Sequence, residues 1–118
     1  MTAEREQRPP DVDVMRSVVR RLLAENADPL AAGELETVTL QLRGHINLMI
    51  PEVQAITDRL PKEHIPRYCA LACLGEARRK VRLPVPEAPH ASAAHARRLA
   101  RVVAALCDHF EALGGEGQ

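Results

Sequence analysis

Aromatic side chains are almost missing from this chain, which has no tryptophan, one phenylalanine (Phe110) and one tyrosine (Tyr68). A protein that holds single-stranded nucleic acid needs aromatic faces on which bases stack, so that class is excluded. Charge of one sign is missing too. Sixteen basic and sixteen acidic residues cancel, and no global field draws the protein onto nucleic acid or an anionic membrane. Long hydrophobic runs are also lacking, since no apolar stretch approaches the ~20 residues of a membrane span. The first ten residues are polar and charged, without the hydrophobic core of a signal peptide. Cysteine is sparse and odd in number. Cys69 and Cys73 stand one helical turn apart and Cys107 stands alone, which suits a reduced, cytoplasmic protein and no disulfide framework. No run alternates apolar and polar residues as a half-buried strand does.

What remains is helical periodicity, and 118 residues is one domain's worth. The expected architecture is all-α, with four helices forming a single domain over 11–113, a flexible N-terminus over 1–10 and a flexible tail over 114–118. The first helix is expected from Asp11 to Asn26, capped by Asp11 or Asp13, with Val12, Met15, Val18, Val19, Leu22 and Leu23 inward. Asp28-Pro29 and Gly33 break the chain. The second helix runs from Glu34 to Leu60, with Pro51 inside it removing one backbone bond and kinking it. The third starts near His64 or Ile65, takes Pro66 in its first turn and reaches Arg82. Leu83 to Pro89 reads as an extended, proline-rich connector, and Ser92 as the cap of the fourth helix. That helix has a clean apolar face of His95, Leu99, Val102, Val103, Leu106, Phe110 and Leu113, and glycines at 114, 115 and 117 stop it. The core is rich in alanine, and small side chains make thin seams between helices. A second copy, packed along the long second helices, is therefore expected to complete a homodimer.

The second helix carries two stripes. At about 100° per residue, Leu35, Val38, Leu42, Ile46, Met49, Val53, Ile56 and Leu60 form a continuous apolar face. Gln41, His45, Glu52 and Arg59 fall in a polar line beside it. They are either flank residues wetted by solvent or the lining of a pocket or interface. On the third helix Ile65, Cys69, Ala72, Glu76 and Leu83 share one narrow face. If that face is buried, Glu76 needs a cation or several donors, or is a carboxyl of raised pKa suited to proton transfer. A structural ion pair is the simpler reading. The other side carries His64, Arg67, Arg78, Arg79 and Arg82, where cations near a helix C-terminus are favoured by its dipole; the alternative is a basic patch for an acidic partner.

Metal and cofactor chemistry find no motif. Cys69 and Cys73, with His64 and Glu76 nearby, lack the second ligand pair of a zinc site. A Cys–His nucleophile needs a third, orienting group, and none is visible. The closing glycines follow a helix instead of opening one, so they are no phosphate loop. No metal and no cofactor are expected.

Two segments, Thr39-Leu-Gln-Leu-Arg-Gly-His-Ile-Asn-Leu-Met-Ile-Pro-Glu-Val53 and Leu60-Pro-Lys-Glu-His-Ile-Pro-Arg-Tyr-Cys-Ala-Leu-Ala-Cys-Leu-Gly-Glu-Ala-Arg-Arg79, resemble an actinobacterial family of small helical proteins, some of them found in natural-product clusters. Within it the chain is similar to the lysinoalanine-forming proteins of cinnamycin- and duramycin-type lanthipeptide biosynthesis. The resemblance implies a reaction in which a peptide lysine adds to a dehydroalanine of the same peptide. It transfers no catalytic residue position by position. It also implies a substrate bearing a hydroxyaspartate that can itself act as base. Orientation of well-aligned groups supplies about 7–11 kcal/mol, so such a protein can act by folding its substrate.

The expected function is therefore a lanthipeptide-tailoring enzyme that binds and orients a modified precursor peptide. Gln41, His45, Glu52, Arg67, Tyr68 and Glu76 are the expected polar fixing points, and Met49 and Ile50 the expected apolar walls. No general base is identified; His45, with an ordinary pKa near neutrality, is the first candidate. The rival is a noncatalytic helical adaptor or regulator. Neighbouring genes for a lanthionine synthetase and an aspartyl hydroxylase favour the enzyme, and a neighbouring DNA-binding regulator favours the adaptor.

Overall fold

The computed structural model describes residues 9–114 and contains four helices and, among those residues, no strand. They are α1 (Val12–Leu23), α2 (Ala32–Asp58), α3 (Ile65–Val81) and α4 (Pro89–Ala112). The flexible N-terminus and tail expected from the sequence fall mostly on residues 1–8 and 115–118, outside the described residues.

Local chemistry sets the helix ends. The Asp11 carboxylate accepts from the Val14 N–H at 3.2 Å, capping α1, and Arg20 and Arg21 sit in its last turn where the dipole favours cations. At α2 the Glu34 carboxylate reaches back to the Ala31 N–H at 3.1 Å, half of a capping box without a hydroxyl partner. α2 begins two residues earlier than the periodicity suggested, and it stays helical through Pro51. α4 starts at Pro89, so the extended connector is shorter than expected and Ser92 is not the cap. Proline suits the first helical position, where its missing N–H has no partner to lose. The Ser92 hydroxyl instead donates to the Pro89 carbonyl at 3.0 Å. α4 ends at Ala112 with Leu113 as its cap, and the next residue, Gly114, has a φ of 83° in the left-handed region that glycine enters freely.

α2 and α4 are the central pair; α1 packs chiefly on α4, and α3 lies against both α2 and α4. The core runs through Val38, Leu42, Ile46, Met49 and Val53 of α2 and Leu99, Val103, Leu106 and Phe110 of α4. Both faces follow the expected period. α1 is fixed from its start, because Arg16 donates to Asp108 at 2.9 Å and to Glu111 at 2.6 Å, and Met15 meets the Cys107 thiol inside. Two buried threonines, unremarked by periodicity, satisfy themselves within α2: Thr39 donates to the Leu35 carbonyl and Thr57 to the Val53 carbonyl.

α3 departs from the expected face. Its buried strip is Ala70, Leu74 and Ala77, with Leu71, Cys73 and Val81 partly covered, whereas Ile65, Cys69, Ala72 and Leu83 are exposed. In a helix of scattered alanines two faces have similar apolar content. The one holding Leu74, Leu71 and Val81 buries more area and wins.

Leu99→Ala empties a site that the core fully encloses and is expected to cost about 2–5 kcal/mol in urea unfolding. Leu48→Ala, on the exposed side of α2, is expected to stay within about 0.5 kcal/mol of the parent.

Candidate functional site

The polar line of α2 is present but does not enclose anything. Gln41 and Arg59 are exposed, and His45 and Glu52 are half-buried. α3 packs on the other flank of α2, where Arg43 donates to the Val81 carbonyl at 2.9 Å and Arg78 donates to the Gln54 side-chain oxygen at 2.7 Å. The α2 line and the α3 residues Arg67, Tyr68 and Glu76 are thus not brought together. Met49 is 0 % exposed and belongs to the core, so it is no groove wall. Ile50 packs against the core from its edge. Arg67 is half-buried, with its Nε lacking a partner among the described residues. Tyr68 stands in solvent.

Glu76 is not a buried carboxylate. Its side chain is 42 % exposed and pairs with Arg79 and, at 3.4 Å, with Lys80, one turn along its own helix. The structural ion pair is the correct reading of this residue. With Cys73, Lys80, Arg98 and Arg101 it borders a shallow notch of about 290 Å³ between α3 and α4. Burial and the neighbouring Glu76 and Asp108 charges push the Cys73 thiol up, and burial holds Cys107 up at about 11. Neither is an activated nucleophile. Among the described residues no three His, Cys, Asp or Glu side chains gather where they could hold a metal ion.

A larger concavity lies elsewhere. The α1–α2 loop, the first turns of α2, the α3–α4 connector and the start of α4 all meet at one end of the bundle. Between them is a groove of about 910 Å³, within the range of small-ligand and peptide-segment sites. Leu22, Leu30 and Leu35 give it an apolar floor continuous with the core, and Leu40 and Val85 stand exposed at its rim. Three cations (Arg21, Arg43, Arg97) and three carboxylates (Asp28, Glu36, Glu87) line it together with His90. The carboxylates can receive an ammonium and the guanidiniums a carboxylate, so the groove suits a ligand carrying both. Thr39, Leu40 and Arg43, which line it, come from the first of the two family-like segments.

None of the expected site residues lines this groove. The two loops that frame it did show in the sequence, as Asp28-Pro29 and as the prolines 84, 86 and 89. Their meeting at one end depends on the up-and-down order of the helices, and helical period alone does not assign a groove to that end.

Two imidazoles are desolvated. His95 is 3 % exposed, its Nε2 has no partner among the described residues, and burial followed by the Arg43, Arg98 and Lys80 charges lowers its pKa. His45 is half-buried, its Nε2 likewise lacks a partner among the described residues, and burial lowers its pKa. In each, burial favours the neutral imidazole over the charged one.

The chain belongs to a family of unknown function, DUF6415, whose model matches residues 13–115. No curated protein and no solved structure matches it.

Two outcomes are expected. Because His95 binds its proton less tightly folded than unfolded, stability is full above the unfolded value of about 6.5 and falls as pH drops below it. A buried histidine contributes up to about 1.4 kcal/mol per pH unit over that window. Urea unfolding at pH 7.5 and pH 5.5 should show the loss, and His95→Leu should make it shallower. Glu76→Ala, which removes half-exposed pairs on one helix, should change stability by less than about 1 kcal/mol.

Proposed function

We propose that the chain binds a peptide in the groove at the loop end of the bundle. Its ligand, in this reading, is a dehydrated, thioether-cyclised lanthipeptide in which it closes a lysinoalanine crosslink. The observation that carries the binding step is the groove's mixed character: an apolar floor of leucines under a rim of balanced charge. Nucleic acid would favour a basic cleft, whereas a peptide of apolar, ammonium and carboxylate groups meets partners for each. The reaction rests on the resemblance of segments 39–53 and 60–79 to lysinoalanine-forming proteins.

The chemistry asks little of the protein beyond placement. The neutral lysine nitrogen attacks the β-carbon of the dehydroalanine, forming an N–C bond as the alkene π bond breaks. The electron pair moves to the α-carbon, which takes up a proton equivalent to the one the nitrogen loses, so the mass is unchanged. The groove's carboxylates orient the amine, its arginines hold the peptide's carboxylates, and the apolar floor excludes water. The base is the substrate's own hydroxyaspartate. The protein works as a cytoplasmic homodimer.

The test is incubation with the thioether-cyclised peptide, reading closure by fragmentation and by loss of thiol trapping of the alkene. Closure by the protein and none without it is expected; peptide binding without closure would assign a noncatalytic adaptor instead. Leu40→Glu at the groove rim should keep the fold and weaken peptide affinity roughly ten- to a hundredfold, the worth of one apolar contact plus a misplaced charge. Alanine variants of His45, Glu52 and Tyr68 should each fall short of the ~10²–10⁴-fold loss that marks a general base. A loss on that scale at one of them, with peptide binding intact, would put the base on the protein.

A further inference from the structure

α3 leaves an apolar face in solvent. Its inner strip is narrow, and on the far side Ile65 is 74 % and Tyr68 77 % exposed, with Cys69 and Ala72 open beside them. Tyr68 is one of only two aromatic residues in the chain, and large side chains of this kind are over-represented where proteins meet. Gly75 lies on the same exposed side, and a Cβ built there would meet no atom within 4 Å. Among the described residues nothing calls for a glycine at that point, although a glycine in mid-helix weakens the helix.

We infer that this face is the contact between two copies of the chain, with the two α3 helices packed antiparallel across a two-fold axis at Ala72. Such a contact is self-complementary by construction, since each patch meets its own copy. Tyr68 lies about one turn before Ala72 and Gly75 nearly one turn after it, on the same edge of the face. The two-fold therefore sets the ring of Tyr68 over the partner's Gly75, where the missing side chain leaves room for it. Arg79, one turn further along that edge, reaches the same ring as a cation and lays its aliphatic stem on the partner's Ile65. On the other edge Glu76 comes opposite the partner's Cys69, small and uncharged. The central residues, Ala72 against the partner's Ala72, allow close approach. The charges of the face, Glu76 and Arg79, already pair within each chain, so no like charges are opposed. A large residue on one side of the centre, matched by an absent side chain on the other, is a pattern that a second copy satisfies.

This deepens the homodimer of the proposed function and places it on α3 instead of on the long helix α2; it does not depend on the peptide chemistry. A contact of one helix face is small, and small interfaces are weak, so dissociation in the micromolar range is expected.

Sedimentation velocity from low micromolar to a few hundred micromolar should show a reversible monomer–dimer equilibrium. Tyr68→Ala and Gly75→Ala should each weaken it roughly tenfold or more, while Gly75→Ala keeps or raises helix content by circular dichroism. Leu48→Glu, on the exposed side of α2, should leave the equilibrium unchanged. In a Cys69→Ser, Cys73→Ala background, Ala72→Cys should form an interchain disulfide on mild oxidation. A chain that stays monomeric at a few hundred micromolar overturns the dimer altogether. A dimer indifferent to Tyr68→Ala and Gly75→Ala, or one split by Leu48→Glu, overturns this face alone. Loss of peptide binding with the dimer intact is a failure of the groove and leaves the interface standing.

Discussion

The structure depends on burying α4 with short side chains. His95, Ala96, Leu99, Ala100, Val102, Val103, Leu106, Cys107 and Phe110 are all covered, an arc spanning nearly half the helix at about 100° per residue. One neighbour cannot cover so wide an arc, so α1, α2 and α3 must each take a share. Phe110 is the single phenylalanine of the chain, so aliphatic side chains make up most of this core. Leucine, isoleucine, methionine and valine supply the bulk between the helices, with Ala70, Ala77, Ala96 and Ala100 filling the remaining buried positions. The Arg16 pairs with Asp108 and Glu111 lock α1 at the end of α4 furthest from the groove.

This arrangement has consequences at both sides of the bundle. Because α1 and α2 touch little, the loop joining them stands away from the core, and the α3–α4 connector reaches the same end. The concavity between these two loops is a by-product of how α4 is enclosed, and it receives charged residues from all the segments that converge there. On the opposite account, α3 is held by a strip of two alanines and a leucine with partial help from Leu71, Cys73 and Val81. A helix anchored so narrowly has much of its surface left over, and here Ile65, Tyr68, Cys69 and Ala72 make part of that surface apolar.

The polar groups inside the core follow the same economy. Thr39 and Thr57 return their hydroxyls to carbonyls of their own helix and so cost no partner from elsewhere. His95 has no such return for its Nε2 and sits among Arg43, Arg98 and Lys80. Neutrality is the state that this surrounding permits, since both desolvation and like charge disfavour the imidazolium. His95, almost completely enclosed, couples the core to pH.

Helical period by itself determined the all-α class, the four helices, and the buried faces of α1, α2 and α4, because those faces carry leucine, isoleucine, valine and methionine dense enough that only one side of each helix can be inward. It also placed Gln41, His45, Glu52 and Arg59 on one flank of α2. It did not determine the face of α3, where alanines at 70, 72 and 77 and cysteines at 69 and 73 make two sides nearly equal in apolar area. Only packing against Leu74 separated them. That turned Glu76 from an expected buried carboxylate into a half-exposed partner of Arg79, and Tyr68 from a site residue beside α2 into an isolated ring in solvent. The groove was decided by tertiary structure as well. Arg21, Asp28, Glu36, Glu87 and Arg97 are ordinary surface residues in one dimension, and they meet because two loops far apart in sequence lie at the same end of an up-and-down bundle. Period reports which side of a helix is buried; which helix ends become neighbours depends on topology.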